Sequence, residues 1–513
     1  MHPIPNESPP VCLINPPSPF LLDERVFMPL GILRVAAVLR DRGFRVDFLD
    51  LSGIKNPQDV LRAYCGFASV DTIYGITVTT PQLPAAVKIR DTIKSINQNT
   101  RIILGGPHVT LTNAARKREI AKKVLVSRAD SGLQKMRETF DVLVAGDGEE
   151  AIFRAIGKNA PKIIDADDPM SSLFLKSQEL SVLPFPARNL IDVGSYHHYI
   201  DGKRALNIIL QLGCPFGCGF CGGRLSPSFR KIRLRSTENV IDEVRHVYET
   251  YGVEALMFHD DELNVNPKFI ELLRGLIDLQ KNLGVKFHFR GFIKSQLLTE
   301  DQASLMYEAG FRIILVAFEA ADERILRNIN KSATLEENTR CMEIAHKYGL
   351  KVKALMSIGH PGESVETVNA VKDWLIKVKP HDFDITVITT YCGTPYHDDA
   401  VFNEKLSEPG RNIWTYTTHG DNLHGIEIDF SEVEGYYKGK PDEGYVSYVF
   451  TDYLKPDELV KLRDWVEREV RTTLNIPYYS SGSAVQYEHS MGQGNVTIPD
   501  FILRSTADQI KNP

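Results

Sequence analysis

The first part of the chain alternates between short apolar runs and longer stretches in which apolar residues recur at helical spacing. Residues 11–15 form an apolar run that ends at two prolines, and residues 29–40 follow with helical spacing, closed by Gly43. Further strands are predicted over 44–51, 72–77, 101–104 and 142–144, and further helices over 85–96 and from Ala151. Strands that alternate with helices form a parallel sheet, so this pattern predicts an N-terminal doubly wound, Rossmann-like α/β domain.

A second alternation of strands and helices begins near residue 205. Its predicted strands lie at 208–212, 255–259, 286–290, 313–318, 353–358 and 384–388. About six such units predict a partial (β/α)6 barrel, in which the chemistry belongs at the carboxyl ends of the strands. The stretch before it carries prolines at 161, 169, 184 and 186 and little periodicity, which is typical of a linker.

The alternation stops after residue 400. Residues 456–474 have the spacing of an amphipathic helix, and the polar, aromatic segment 412–445 is typical of a substrate-covering extension. The segment 477–494 either lines the substrate pocket or packs on the barrel. We therefore divide the chain into an N-terminal domain, a linker, a barrel and an α+loop C-terminal extension, over 1–155, 156–200, 201–400 and 401–513.

Composition indicates the class of protein and the compartment in which we expect it. A chain of 513 residues exceeds one ordinary domain, and 43% hydrophobic with 25% charged residues is typical of a globular protein. A net charge of −6 does not indicate a positive surface for binding nucleic acid or an anionic membrane. No apolar run approaches the roughly 20 residues that span a bilayer. Most of the seven cysteines are isolated, as in a reducing compartment, so we expect a cytoplasmic protein.

Three cysteines form the clearest chemical signal in the chain. Cys214, Cys218 and Cys221 follow an apolar strand at C-x₃-C-x₂-C spacing, and glycines surround them. Thiolates hold iron–sulfur clusters, and three of them leave one iron of a [4Fe–4S] cluster open to another ligand. A zinc site would need a fourth Cys or His at ligand spacing, and a disulfide pair conflicts with the isolated cysteines elsewhere. The spacing therefore favours a [4Fe–4S] cluster.

This cysteine spacing, with an aromatic residue before the last cysteine, resembles the radical S-adenosylmethionine (SAM) enzymes over roughly residues 200–400. The resemblance implies that the open iron binds SAM and that an electron from the cluster cleaves SAM to a 5′-deoxyadenosyl radical. It also implies SAM contacts at the strand ends. The residues expected there are Phe220, Asp260, Asp261, Arg290, Glu319, Gly359 and Pro361. Two alternatives stay open. In one, Asp260 and Asp261 belong to a solvated turn. In the other, Arg290 pairs with a carboxylate of the protein, because an unpaired buried charge is costly.

The glycine-bearing loops of the first domain are similar, in their order, to the cobalamin-binding domain that precedes many radical SAM cores. No G-x-G-x-x-G follows the first strand, which argues against an ordinary NAD site. The residues that the resemblance and the strand ends place near cobalamin are Asn15, Leu30, Gly31, Thr79, Thr80, Gln82, Gly105, Gly106, His108, Gly146, Gly148 and Glu149. His108 lacks the Asp-x-His-x-x-Gly context of a cobalt ligand. We therefore predict base-off cobalamin without histidine ligation, with Thr79–Gln82 near its lower face and His108 beside the corrin edge or nucleotide tail. In the alternative interpretation, Gly105–His108 is a tight turn and Glu149 is a favourable acid at a helix start.

These expectations lead to a cobalamin-dependent radical SAM methylase with a small-molecule substrate and an external electron donor of the flavodoxin or ferredoxin type. An oxidoreductase or cyclase with the same cofactors, but without methyl transfer, is the alternative. A cobalamin-binding module without catalysis is disfavoured by the intact cysteine motif. The sequence assigns no catalytic side chain.

Overall fold

The computed structural model describes residues 8–18, 24–124, 127–433 and 446–476. Its strands are β1 (Val11–Asn15), β2 (Val46–Asp50), β3 (Ile73–Thr77), β4 (Ile102–Gly105), β5 (Val142–Gly146), β6 (Ile163–Ala166), β7 (His198–Ile200), β8 (Lys203–Ile208), β9 (Gln211–Leu212), β10 (Arg233–Leu234), β11 (Ala255–Phe258), β12 (His288–Phe292), β13 (Phe311–Glu319), β14 (Lys351–Ile358), β15 (Asp382–Val387), β16 (Val401–Phe402), β17 (Ile413–Thr418), β18 (Asp421–Ile426) and β19 (Val449–Thr451). Its helices are α1 (Leu30–Asp41), α2 (Pro57–Phe67), α3 (Leu83–Ile96), α4 (Pro107–Lys122), α5 (Arg128–Thr139), α6 (Gly148–Ala155), α7 (Ser177–Leu180), α8 (Pro227–Arg230), α9 (Thr237–Tyr251), α10 (Phe269–Leu283), α11 (Glu300–Ala309), α12 (Glu323–Ile329), α13 (Leu335–Lys347), α14 (Val365–Val378), α15 (Pro395–Asp398) and α16 (Pro456–Leu474). The segment 477–494 and the end of 412–445, for which roles are predicted above, lie outside the described residues.

The first sheet is parallel throughout, in the order β2-β1-β3-β4-β5-β6. Because side chains alternate between the faces of a strand, one face packs on α1 and α6 and the other on α2 to α5. The predicted doubly wound fold is confirmed. The sheet has one strand more than predicted, since β6 lies within the stretch expected to be a linker. Its strand order reverses between β1 and β3, and such folds bind ligands at the carboxyl ends beside that point.

The second sheet forms the predicted partial barrel, with six parallel strands in the order β15-β14-β13-β12-β11-β8 and β7 added antiparallel at one edge. The first barrel strand, predicted over 208–212, is wrong in position: it ends at Ile208, and the chain then forms the short β9, which pairs with β10. The cause is Asp260. Its carboxylate accepts hydrogen bonds from the backbone amides of Leu210 (3.1 Å) and Gln211 (2.6 Å) and bends the chain out of the sheet.

The first domain reaches into the barrel through the loop before α1. The Met28 amide donates to Asn207 Oδ1 at 3.1 Å, and Asn207 Nδ2 donates to the Met28 carbonyl at 3.0 Å. The Phe27 ring lies between His198 and His259, with centroid distances of 4.9 and 4.7 Å. The N-terminal domain therefore forms part of the barrel interior.

Buried ion pairs also tie the linker and the first domain to the barrel. Arg188 and Arg235 both bind Glu243, at 2.6 and 2.5 Å, and Asp147 pairs with Arg233. Burial alone would raise the pKa of Glu243, but the two guanidinium groups outweigh it and hold that pKa at about 2. These pairs persist because each buried charge has a direct partner.

The C-terminal extension contains the predicted helix, α16, and a four-stranded antiparallel sheet, β16 to β19. The expectation of helix and loop alone missed this sheet, because its strands are short and carry polar residues that hide the alternation. Helix α16 covers the free edge of β15: Arg463 Nε and Arg471 Nη2 donate to the carbonyls of Ile385 and Phe383 at 3.0 and 2.7 Å. Within the four described ranges, no helix combines the length and apolarity needed to cross a membrane.

Candidate active site

The cysteine loop begins directly after β9 and is held by backbone hydrogen bonds to distant parts of the chain. The Cys214 amide donates to the Phe229 carbonyl at 2.8 Å, and the Gly219 amide donates to the Ile329 carbonyl at 2.7 Å. Gly213 has a φ of 89°, and a Cβ built there would lie 2.2 Å from a backbone carbonyl oxygen. Only glycine fits at the start of this loop.

The three thiols do not converge on one point. In the part of the chain that the structure describes, no group of three or more His, Cys, Asp or Glu side chains could hold a single metal ion. A [4Fe–4S] cluster does not need such convergence, because each of its cysteines binds a different iron atom. Burial raises the pKa of the Cys214 thiol to about 12, and a coordinated metal deprotonates such a thiol. The donor set fits a cluster better than a mononuclear site.

A buried polar network lies beside the loop, at the ends of β13 and β14. Glu319 ends β13 with a φ of 71°, a left-handed conformation that is uncommon for a residue other than glycine. Its Oε1 lies 3.2 Å from Lys331 Nζ, and its Oε2 accepts from Ser357 Oγ at 2.6 Å. Ser357 Oγ lies 2.8 Å from His360 Nε2, and the His360 ring lies 5.4 Å from Phe220. Backbone strain held in place by such a network is typical of a binding site.

Two further charged side chains near the loop are incompletely paired. Lys294 is buried and forms no ion pair with a described carboxylate; its Nζ donates to the Lys331 carbonyl at 2.8 Å and lies 4.5 Å from the Phe216 ring centre. Burial lowers the pKa of Lys294 to about 8. Glu262 Oε2 has no hydrogen-bond partner among the described residues, and burial raises the pKa of Glu262 to about 7. Both groups therefore keep hydrogen-bonding capacity that the described residues do not use.

The neighbouring acids Asp260 and Asp261 differ in their surroundings. Asp260 is buried, accepts two backbone amides and shapes the bend after β8; burial raises its pKa to about 8. Asp261 is exposed to a cavity and lies within electrostatic reach of Cys214 and Cys221. The structure therefore brings Asp261 to the cysteine loop and gives Asp260 a positioning role.

Arg290 lies deeper in the barrel than expected. The strand predicted over 286–290 is His288–Phe292 instead, and Arg290 is paired in register with Ile313, well before β13 ends at Glu319. Its nearest charged groups are two aspartates at the start of β15. Strand β12 continues past Arg290 to Phe292, and the contact of Arg290 with SAM or substrate stays a prediction.

The turn after β14 carries the last two expected SAM contacts. Gly359 has a φ of 92°, which favours glycine. The Pro361 carbonyl accepts from Asn328 Nδ2 at 2.9 Å, and the Gly362 carbonyl accepts from Arg324 Nη2 at 2.8 Å. Helix α12 therefore fixes this turn next to Glu319 and the cysteine loop.

One cavity of about 340 Å³ is lined by both domains. The expected cobalamin residues in its wall are Leu30, Gly31, Gly105, Gly106, Gly146, Gly148 and Glu149. The barrel residues in its wall include Gln211, Leu212, Gly213, His259, Asp260 and Asp261, which lead directly to Cys214. A Cβ built on Gly31 would meet nothing within 4 Å, so the absence of a side chain there keeps part of the cavity open.

The remaining expected cobalamin residues are not in the wall of this cavity. They are Asn15, Thr79, Thr80, Gln82 and His108. Gln82 Oε1 accepts from the Thr79 amide at 3.0 Å, and Asn15 Nδ2 donates to a carboxylate at the end of β2 at 3.0 Å. His108 Nδ1 lies 3.1 Å from Thr80 Oγ1, and burial lowers the pKa of His108 to about 4. Their proximity to the corrin stays a prediction.

Sequence analysis missed the cations in the cavity wall. Arg34 lies 3.9 Å from Glu149, and Arg233 pairs with Asp147. Arg34 could have been found from the sequence, because it is an arginine at a buried position of an amphipathic helix and buried charges are normally paired. No sequence pattern indicated Arg233, because its partner, Asp147, belongs to another domain.

Cys392, in the turn after β15, packs against Ala115 and Ala129 of the first domain. Burial raises the pKa of its thiol. The residue therefore contributes packing between domains and is unsuited to act as a free nucleophile.

Comparison with known proteins agrees with this geometry. The Radical SAM superfamily matches residues 208–375, and the B12 binding domain matches residues 24–131. An uncharacterised methyltransferase of Pyrococcus horikoshii is 27% identical over 439 residues, covering 84% of this chain and 89% of that protein. An anaerobic magnesium-protoporphyrin IX monomethyl ester cyclase of Rubrivivax gelatinosus is 24% identical over 366 residues, covering 67% of this chain and 62% of that one.

Among solved structures, the radical SAM methyltransferase TsrM from Kitasatospora setae, with cobalamin and a [4Fe–4S] cluster bound, shares the fold. Its TM-score is 0.61 at 18% identity, with 81% of this chain and 82% of that chain covered. With a B12-binding domain set against a radical SAM barrel, the chain belongs to the cobalamin-dependent radical SAM family, whose cofactors are a [4Fe–4S] cluster, SAM and cobalamin.

Proposed function

We propose that the protein is a cobalamin-dependent radical SAM methylase that adds a methyl group to an unactivated carbon of a small biosynthetic substrate. The observation that carries this proposal is the single cavity lined by the strand-end glycines of the first domain and by the barrel residues next to Cys214. Cobalamin bound against the strand-end glycines of this cavity would lie next to the cysteine loop. The P. horikoshii relative, named a methyltransferase, supports the same reaction class.

When bound, the cofactors supply a 5′-deoxyadenosyl radical, which takes a hydrogen atom from the substrate, and a methyl group from methylcobalamin. The residues of the chain bind the cofactors and orient them. Cys214, Cys218 and Cys221 would hold the cluster. In this proposal the Glu319 carboxylate, buried at the end of β13, accepts a hydrogen bond from the amino group of SAM, and the Lys294 ammonium binds the SAM carboxylate.

The remaining contacts in this proposal hold the adenine end of SAM and exclude water. Phe220, with His360 beside it, offers an apolar surface, and the turn at Gly359 and Pro361 allows close backbone approach. Asp261 lies in the cavity wall, where it would accept a hydrogen bond from a bound molecule. These roles rest on the positions described above.

For cobalamin, the first domain offers an open cleft rather than a cobalt ligand. Gly31 leaves space at the start of α1, and Arg34 with Glu149 provides charged groups for the polar edge of the corrin or its tail. His108 is engaged at Nδ1 by Thr80, which is consistent with cobalamin bound base-off without histidine ligation. A weak lower ligand favours transfer of the methyl group as a radical.

The test is the fate of the SAM methyl group. The reconstituted protein is incubated anaerobically with a reductant and a small-molecule extract of its source cells, using SAM labelled with ¹³C in the methyl group. We expect a product heavier by one labelled methyl, formed with 5′-deoxyadenosine and absent with the triple cysteine-to-alanine variant. A product without label, formed alongside 5′-deoxyadenosine, would reject methyl transfer.

The second candidate is a cobalamin-dependent oxidoreductase or cyclase, which the R. gelatinosus relative, named a cyclase, favours. It uses the same cavity and the same cluster residues. In the labelling experiment it gives an unlabelled product that has lost hydrogen or closed a ring, and the methyl label of the cleaved SAM leaves in methionine. No SAM turnover under strong reductant would reject both enzymes.

A further inference from the structure

Three basic side chains lie against the cysteine loop. Arg230 Nη1 donates to the Phe216 carbonyl at 2.9 Å, and Arg224 donates to the adjacent Gly217 carbonyl. Lys231 follows Arg230 directly, and its side chain is exposed, while the two arginines are half-buried. Phe216 and Gly217 lie between two cluster cysteines in the sequence, so this basic rim (Arg224, Arg230 and Lys231) covers the loop that would hold the cluster.

The basic rim is not neutralised by the protein. Among the described residues, Arg224, Arg230 and Lys231 form no ion pair with a carboxylate. The chain as a whole carries a net charge of −6, so a local group of three unpaired cations runs against its overall charge. The buried charges on the other side of the loop behave differently: Lys331 is paired with Glu319 at 3.2 Å. A positive, partly exposed surface of this kind attracts an acidic partner.

We propose that the basic rim is the docking surface for an acidic one-electron carrier protein of the flavodoxin type, which reduces the cluster through the loop it covers. The inference rests on the proposed function, since only a redox cluster needs such a partner. The opposite side of the loop lies at the cavity wall beside Asp261, which is acidic and would repel an acidic partner, so the charge of the rim favours it as the docking side. In the reduction, one electron leaves the anionic flavin hydroquinone, which becomes the neutral semiquinone, and the cluster passes from the 2+ to the 1+ state, with no proton transferred.

Lys231 is the position to change, because its exposed side chain makes no hydrogen bond among the described residues, whereas both arginines hold the loop. Lys231→Glu reverses one charge on the rim. Lys286→Glu is the matched control: Lys286 is also exposed and unpaired among the described residues, but it lies before β12, at the opposite end of the barrel. Lys231→Gln is the milder variant if the reversal impairs folding.

The experiment follows reduction of the reconstituted cluster by flavodoxin hydroquinone in an anaerobic stopped-flow instrument, at low and high salt. We expect the wild-type second-order rate constant to fall with salt and Lys231→Glu to lower it about tenfold at low salt, with a flatter salt dependence, because steering charges act on association. Lys231→Gln should fall between, and Lys286→Glu should match the wild type. Equal rates for wild type and Lys231→Glu, or an equal loss in Lys286→Glu, would overturn the docking surface.

Excess dithionite separates this inference from the function on which it rests. Dithionite is a small reductant that needs no docking surface, and the extent of cluster reduction is read by electron paramagnetic resonance. Full reduction of every variant by dithionite shows that the cluster is intact and that the rate differences belong to docking. A wild-type protein that shows no reducible cluster would reject the proposed function itself.

Discussion

Gly31 offers a direct test of the cavity as a cobalamin site. It is the second residue of α1, its Cα faces the cavity, and a Cβ built there would meet nothing within 4 Å. Gly66 is its natural control: it is the second residue from the end of α2, is exposed, and also has nothing within 4 Å of a built Cβ. Replacing either glycine by leucine removes a glycine from an end turn of a helix, but only Gly31→Leu fills the cavity.

The two effects have separate magnitudes. Glycine in a helix is less favourable than alanine by about 0.5–1 kcal/mol, and leucine is close to alanine. Both variants should therefore raise the melting temperature of the apoprotein by about 1–4 °C. A leucine side chain in the space needed by a ligand costs about 1–3 kcal/mol of packing strain, which corresponds to about 5- to 150-fold weaker binding of cobalamin in Gly31→Leu alone.

The assay has two parts on the same samples. Thermal unfolding of the apoprotein checks that each leucine is accepted, and titration with hydroxocobalamin, followed by its absorbance, gives the dissociation constant. Cobalamin affinity that is equal in Gly31→Leu and Gly66→Leu would refute the assignment of this cavity. A loss of melting temperature in Gly31→Leu would refute the claim that open space surrounds the position.

Three further outcomes follow from the site and the core. Replacing Cys214, Cys218 and Cys221 together with alanine should remove the iron and sulfide that bind on anaerobic reconstitution and stop 5′-deoxyadenosine formation; retention of a full cluster would contradict the assignment. Glu319→Gln should keep the cluster but lower SAM cleavage about 10- to 150-fold, because hydrogen bonds to charged groups contribute about 1.5–3 kcal/mol; 5′-deoxyadenosine measured by chromatography at the wild-type rate would move it to a structural role. Glu243→Gln should destabilise the protein by about 3–5 kcal/mol at neutral pH, since two buried guanidinium groups lose their counter-charge. Because the folded pKa of Glu243, about 2, lies below its usual 4.5, its contribution is fully present above about pH 4.5 and is lost as the pH falls towards 2, so denaturant unfolding should show the two proteins converging over that window and not above it.

The sequence predicted the parts of the fold that depend on local pattern. The alternation of apolar runs and helical spacing located both parallel sheets, and α16 begins and ends at the predicted residues. Prediction from the sequence failed where a contact between residues far apart in the chain decides the structure. The Asp260 carboxylate makes the bend after Ile208. No residue near 208 indicates that an aspartate following β11 will accept hydrogen bonds from the amides of Leu210 and Gln211.

The same distinction applies to the site. The cysteine spacing and the strand-end glycines are local motifs, and the structure brings them to one cavity. For Arg290, the sequence shows a charge in an apolar strand but does not show how far the strand continues past it. Lys294 was missed because its burial comes from Phe216 and Lys331, which lie far from it in the chain.

The loop that carries Phe27 and Met28 has a consequence for building hybrid enzymes. These two residues belong by chain position to the cobalamin domain, yet Met28 completes a reciprocal hydrogen-bond pair with Asn207, and Phe27 occupies the barrel interior between two histidines. A chimera that joins the sheet of one relative to the barrel of another at the linker would separate these partners and leave the Asn207 amide unpaired in a buried position. In such exchanges residues 24–29 should travel with the barrel, so the unit that can be transplanted is discontinuous in sequence.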